Sequence, residues 1–474
     1  MSIHRFLVLI AAAGVISSLG LTRIRAQAPP GFEVDSEMQS QAGGEDAAAK
    51  ALRSLYVPDG LTSDEAVQRV LAISPAIRRT TALLLVAKGA ALQAMSGLVP
   101  RLELIGRHSQ LSPVDNPTFD IPGIGPLTFP SLTKQTATDA TLSYSFTGSL
   151  AQSLPAYRAA KENKVAAQYQ IDAENNNVAL ESRQAYYEYA RAEAGFAVAK
   201  FQLDAAVSQR EETEALVNAG SAAKVDLLRV QAQEEAARVA LEQANLGLQV
   251  AKRALQALML TEELPSLGED LSKPVVGIPQ GTAAELQEQA YRKRPDLLAL
   301  RTYIDVKHHE LKSANGGRLP DLLVRASAQY SNPNLRVIPQ EQRFTATWEV
   351  AAVVRWTPND TVAAQGRSRQ LQGELEQAYA DVTTLEQQVQ VDVAQGYHGI
   401  EAAQKAMKSA RLGLTAAREG YRVTREQLQA GYVNTTTLLQ AQSELIRAQV
   451  DVVDSAIGLR VAKAKLLYAI GEMP

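Results

Sequence analysis

Polar and apolar positions follow two rhythms along this chain. Residues 64–98, 150–218 and 222–260 carry apolar side chains at helical spacing, and so do 283–316, 360–429 and 433–470. That period marks helices with one buried stripe. Between the helical stretches the period drops to two. Phe344, Ala346, Trp348, Val350, Ala352, Val354 and Trp356 share one face, opposed by Thr345, Thr347, Glu349, Ala351, Val353 and Arg355. Leu322, Val324, Ala326, Ala328 and Tyr330 alternate likewise with Leu323, Arg325, Ser327 and Gln329, as do Ala140, Leu142, Tyr144 and Phe146 with Thr141, Ser143 and Ser145. The pattern is weaker near the start, where Leu102 and Leu104 oppose Glu103 and Arg107 but Ile105 falls on the polar side. Alternation of this kind predicts four two-faced strands, at about 101–112, 138–147, 321–331 and 343–356.

The order of elements repeats. Ser74-Pro75 and Arg294-Pro295 each close a short amphipathic segment and open a longer one. Val99-Pro100 and Leu319-Pro320 follow at the same distance, an offset of 220 between copies. Tyr187 then matches Tyr397 at offset 210, and Ala219-Gly220 matches Ala430-Gly431 at offset 211, each followed by a Leu-Leu pair. The change falls between the two strands of each copy, where a loop absorbs it cheaply. The expected division is an extension over 29–62, a first repeat over 63–261, a linker over 262–281 and a second repeat over 282–474.

A helix of about 65 residues is roughly 100 Å long and must bury its stripe against other helices along its length. The final stretch shows a heptad seam of Leu438, Leu445, Val452, Leu459 and Leu466, with Ala441, Ala448, Ser455 and Ala462 three residues after the first four. In the first copy the seam is Leu227, Glu234, Leu241, Leu248 and Leu255, with Val230, Ala237, Ala244 and Ala251. An extended coiled-coil assembly is expected; an ordinary antiparallel bundle is the alternative for any one helix.

The two tryptophans, Trp348 and Trp356, lie on one face of one strand. Eight residues span roughly 26 Å, or roughly 20 Å of height at a tilt of about 40°, near the apolar band of a membrane barrel. A soluble sheet with one face on a core shows the same alternation. Four strands cannot close a barrel, since membrane barrels start at eight, and an open edge cannot face lipid. Strands in a membrane would therefore have to be shared between chains. Residues 113–136, with five prolines, and 331–342 read as exposed loops. Gly123 and Gly125 are no phosphate cradle, because no strand-to-helix turn follows them.

Composition narrows the function. Of 474 residues, 46% are hydrophobic and 5% aromatic, which suits long helices. A net charge of −3 argues against nucleic-acid binding. With no cysteine, disulfides, thiolate metal sites, thiol catalysis and lipid attachment through an N-terminal cysteine are excluded. His308-His309-Glu310 lacks metal-ligand spacing and reads as solvated helix surface, as do Glu211-Glu212 and Glu234-Glu235. No catalytic constellation, cofactor motif or metal site is present in the sequence. An apolar run from Phe6 to Leu21 ending in Ala26-Gln27-Ala28 reads as a cleaved export signal over 1–28.

A duplicated helix–strand–strand–helix chain behind an export signal resembles the TolC-type outer-membrane efflux proteins. The residues that carry the resemblance are Val99-Pro100-Arg101-Leu102 and Leu319-Pro320-Asp321-Leu322, with the Gly220 and Gly431 segments and their Leu-Leu pairs. The resemblance implies a mainly helical fold with a small membrane β part. It implies a homotrimer sharing a twelve-stranded barrel in the lipid bilayer of the outer membrane, above a coiled-coil tunnel in the periplasm. It implies passive export of drugs or metals, or type I protein secretion, with an inner-membrane transporter and a periplasmic adaptor. It places the tunnel tips and adaptor contact at Ala219-Gly220-Ser221 and Ala430-Gly431-Tyr432. Gate carboxylates of some members would fall at Thr437 and Gln440, so that acidic ring is missing, and Asp226 is the acidic group left near the aperture. Asp226 reads equally as a charge favoured at a helix N-terminus. An exported coiled-coil structural or adhesive protein is the reading from another class.

Overall fold

The computed structural model describes residues 56–114, 118–128, 133–338 and 340–473, all within one compact unit. The export signal expected over 1–28 and most of the extension over 29–62 lie outside them.

Each repeat opens on a broken helix. In the first, α1 (Ser63–Ile73) gives way to α2 (Pro75–Ser96) with a 45° bend. The single helices expected over 64–98 and 283–316 are thus each two. A proline ring removes a backbone donor and drives the residue before it out of helical geometry; Ser74 has ψ 125° and Arg294 has ψ 117°. The first segments start alike. Thr62 and Glu65 form a reciprocal capping box, and so do Thr282 and Glu285.

The strands follow. β1 (Arg101–Gln110), β4 (Lys134–Ser145), β5 (Asp321–Asn332) and β6 (Thr345–Arg355) form an antiparallel sheet in the order β1-β4-β5-β6. The segment read as loop over 113–136 holds a small hairpin, β2 (Thr118–Ile121) with β3 (Gly125–Thr128). Strands of four residues carry too few positions to show a period. Their turn needs glycine, since Gly123 has φ +88° and Gly125 φ +91°.

The long helices are α3 (Leu154–Asn218, 65 residues), entered through a π-helical turn at Gly148–Ser153, and α7 (Pro358–Gln429, 72 residues). At about 1.5 Å per residue they run roughly 100 Å. Each folds back on a shorter helix, α4 (Lys224–Met259) on α3 and α8 (Thr435–Ala469) on α7. The predicted seams face these partners: Val230, Ala237, Ala251 and Leu255 are buried in one, Leu438, Leu459 and Leu466 in the other. On α8 the buried stripe is wider than a heptad seam. Val453, Ala456 and Ile457 are buried too, because α8 also packs on α3.

Glu234 departs from the solvated reading. It is 8% exposed at a seam position, held by Arg210 Nε at 2.7 Å and Arg238 Nη2 at 2.7 Å. Two guanidinium partners offset the cost of burying a carboxylate.

Where α4 and α8 end, a belt of short segments wraps the helices. One core joins Leu61, Val70, Tyr186, Leu255, Leu267 and Ile457. A second joins Leu286 and Ala290 of α5 (Ala283–Lys293) to Val393, Leu466 and Ile470. Buried Arg460 ties the linker down, donating to the Glu269 carboxylate at 2.9 Å and to the Asp270 and Lys273 carbonyls. Tyr186 donates to the Leu61 carbonyl at 2.9 Å, and burial pushes its hydroxyl pKa up. The helix α6 (Pro295–Gly316) completes the second repeat between α3 and α7. Beside its first turn, buried Arg294 loses solvation, yet bonds to Asp296 and Asp392 hold its pKa above the ordinary value.

At the belt Gly60 and Gly268 touch backbone to backbone. A Cβ on Gly268 would stand 2.1 Å from the Gly60 carbonyl oxygen. Gly268→Ala should detach the linker and expose 261–281 to limited proteolysis. Equal protease resistance of the Gly268 variant and the parent would contradict this packing.

Glu193 on α3 has a buried carboxylate oxygen with no partner, and burial raises its pKa from 4.5. A carboxyl whose folded pKa is raised favours the fold while protonated. That contribution is present below the unfolded value and is lost as pH rises through the folded value. Glu193→Gln should therefore raise the thermal midpoint relative to the parent at about pH 8 and leave it unchanged at about pH 4. A difference that is the same at both would refute the assignment.

Candidate functional site: a two-faced sheet and two helical tips

The register of the sheet sorts every strand residue to a face. Leu104 lies opposite Ala140, Ala140 opposite Ala328, and Ala328 opposite Trp348. One row further, Leu102, Leu142, Ala326 and Val350 line up the same way. The opposite face carries Glu103, Thr141, Ser327 and Glu349 in one row and Arg101, Ser143 and Arg325 in the next. A one-residue slip in any pairing would mix the two sets, and none occurs. The apolar face is bare: Trp348 is 76% exposed and Trp356 59%. An uncovered apolar face is no soluble core. Ile105 sits on the polar face, paired with Asp139, as its sequence position suggested.

Aromatic rings collect at two heights on the apolar face. Trp356 and the edge-to-face pair Tyr144–Phe146 mark the helix end of the strands. Stacked Tyr330 and Phe344 mark the far end, one row beyond Trp348. From Trp356 to Ala346, which lies opposite Tyr330, is ten residues, roughly 33 Å along the strand and roughly 25 Å of height at a tilt of about 40°. The tryptophan pair alone spans less than this band, because Trp348 lies inside it.

The other end of the long helices is built from two like turns. Gly220 has φ +73° and Gly431 φ +78°. Gly220 N–H donates to Val217 and Ser221 N–H to Leu216; Gly431 N–H donates to Leu428 and Tyr432 N–H to Gln427. This is the paired-bond ending of a helix on a left-handed residue, which satisfies its last carbonyls. Ala219 and Ala430 are the last right-handed residues before each turn. The second turn is better capped, with Asn434 accepting from Thr437 N–H at 3.0 Å. The first has no side-chain cap at Ala223, and Asp226 supplies a negative charge in the first turn of α4 instead.

The aperture candidates are thereby separated. Half-buried Asp226 pairs with Arg229 at 3.5 Å. Thr437 spends its hydroxyl on the Asn434 cap at 3.1 Å, and Gln440 is exposed. Arg229, which no sequence pattern marked, joins the two tips by donating to Thr436 Oγ1 at 3.2 Å. Tyr432 is exposed on the second turn. His308 is not free surface either, since its Nε2 lies 3.0 Å from the Tyr379 hydroxyl and His309 Nδ1 is buried. Among the described residues no group of three or more His, Asp or Glu side chains could hold a metal ion. No single helix among them is long and apolar enough to cross a membrane.

Known proteins share this arrangement. The chain matches the model of the outer membrane efflux protein family over residues 66–259 and 286–472. It is 23% identical over 322 residues to the outer membrane efflux protein BepC of Brucella suis biovar 1 (strain 1330), spanning 66% of this chain and 69% of that one. Solved CusC, from work on folding and transmembrane channel formation, superposes with a TM-score of 0.73 at 17% identity, covering 88% of this chain and 94% of its own. The CmeC outer membrane channel of Campylobacter jejuni gives 0.72 at 13% identity, over 86% and 85%. With the match running through both repeats, this chain belongs to the outer membrane efflux protein family, as an outer-membrane protein with a large periplasmic part.

Proposed function

We propose that this protein is the exit duct of a tripartite efflux system. Three copies would share a twelve-stranded barrel, with their long helices joined as a tunnel. Small molecules, drugs or metals, would pass through it from an inner-membrane transporter and a periplasmic adaptor. The observation that carries the reading is the sheet, bare and apolar on one face, polar on the other, with the outer edges of β1 and β6 unpaired among the described residues. Unpaired backbone groups are not tolerated in lipid, so closure must come from further copies.

The duplication supplies the template for that closure. Within one chain, β4 of the first repeat pairs with β5 of the second, and α6 packs on α3. The same step from second repeat to first would set β6 beside β1 of the next copy and α7 beside its α2. In keeping with this, α2 leans on α3 but leaves Leu85, Val86 and Leu92 exposed, whereas α6 is held from both sides. A head-to-tail contact of this kind closes a ring. The family description and BepC's name favour efflux over protein secretion.

In this reading Ala219, Gly220, Ser221, Ala430, Gly431 and Tyr432 meet the adaptor. Asp226 and its Arg229–Thr436 bridge line the aperture in place of an acidic ring, with neutral Thr437 and Gln440 nearby. Trp348 and Trp356 contact lipid.

Two experiments test it. The purified protein should conduct ions in planar bilayers, and Val86→Asp should abolish both conductance and the heat-sensitive oligomer on gels. Absence of conductance from correctly folded parent protein would remove the duct. At the tips, Gly431→Pro forbids φ +78° and removes a donor. Membrane insertion should survive while drug tolerance in a complemented deletion strain falls to that of the empty vector. Full tolerance would remove the tip from the adaptor contact.

A further inference from the structure

The loop after β5 does not stand clear of the sheet. Ser331 is fully buried and Asn334 is 1% exposed. Asn334 Nδ2 donates to the Thr345 carbonyl at 3.1 Å and to Thr347 Oγ1 at 3.3 Å, and its Oδ1 accepts from Arg336 N–H at 3.0 Å. Arg336 then reaches along β6. Its Nη1 donates to the Trp348 carbonyl at 3.2 Å and its Nη2 to the Glu349 carboxylate at 2.5 Å. Thr347 and Glu349 belong to the polar face. Asn334 is thereby seated on that face at the level of Thr345 and Thr347, and the Arg336 side chain reaches on to the level of Glu349. Four residues are about 13 Å of strand, or about 10 Å of depth at a tilt of about 40°. The sequence reads 331–342 as an exposed loop; Leu335 and Ile338 are exposed, but Asn334 and Arg336 tie the segment to the polar face.

Resting on the reading of the polar face as a channel lumen, we infer that Asn334–Ile338 is a strap across the outer mouth, latched by Arg336 on Glu349, that restricts bulky cargo. The strap leaves Leu335 50% and Ile338 85% exposed. Arg336 and Glu349 are each about half exposed. Ion pairs of that exposure are weak, so the latch holds the strap without locking it. This constriction is separate from the helical tips, at the opposite end of the long helices.

The chain has no cysteine, so a single introduced thiol reports on the path. Arg325→Cys places one on the polar face, one row nearer the helices than Ser327 and Glu349. Intact cells expressing it are treated with membrane-impermeant maleimides, one small and one carrying a bulky polymer. The small reagent should label Arg325→Cys at the same rate with or without Arg336→Ala. The bulky reagent should label the Arg336→Ala background about three- to tenfold faster, as loss of a charge-assisted contact allows. Arg336→Lys, which keeps a cationic donor for the Trp348 carbonyl and the Glu349 carboxylate, should return the bulky reagent to the slower rate. Labelling by the small reagent with equal bulky-reagent rates in all backgrounds would overturn the strap while leaving the channel standing. Failure of even the small reagent to label folded, membrane-inserted protein would show that the polar face is dry, and the channel reading would fall with the strap.

Discussion

The sheet answers to one constraint on which the rest depends: a strand in lipid must have its backbone hydrogen bonds satisfied on both sides. A single chain supplies β1, β4, β5 and β6, and among the described residues only the inner two are paired on both sides. Its apolar face leaves Trp348, Val350 and Val354 bare. These features would be liabilities in a soluble protein, where open edges and apolar patches invite aggregation. In a closed barrel the same edges become joints and the same patch becomes the lipid contact. The duplication matters because one chain already contains a repeat-to-repeat joint, and a ring needs only to reuse it.

The helices meet a different requirement. A helix of 65 or 72 residues cannot be stabilised by its own propensity and must be packed along its length. The shorter α4 and α8 each cover part of a long helix, and the belt of short segments closes the seam where they end. Beside its two apolar cores the belt carries buried polar clamps, Arg460 on the linker and Arg294 on α6 and α7. Each is nearly fully buried, so breaking one would leave a stranded charge rather than merely a lost contact.

Much of this was legible in the residues. Alternation locates all four long strands to within a few residues, and glycine at Gly220 and Gly431 marks both helix-to-helix turns, because a left-handed residue is needed there. What escaped notice had physical reasons. The β2–β3 hairpin is too short to show a period. The breaks at Pro75 and Pro295 were visible as prolines, yet the flanking apolar spacing runs straight through them. Glu234, Arg229 and Arg336 are charged residues whose partners lie 24, 207 and 13 positions away, and nothing in local spacing distinguishes a clamped charge from a solvated one. His308 looks like free surface in the sequence for the same reason, its Tyr379 partner lying 71 positions away.

The measurement closest to the central claim is hydrogen–deuterium exchange of the membrane-extracted protein. In an antiparallel strand alternate residues direct their amides to opposite neighbours. If other copies close the sheet, peptides covering 101–110 and 345–355 will exchange as slowly as those covering 134–145 and 321–332. Rapid exchange of about half the amides in both outer strands, with the inner strands protected, would contradict closure and with it the account given of this chain.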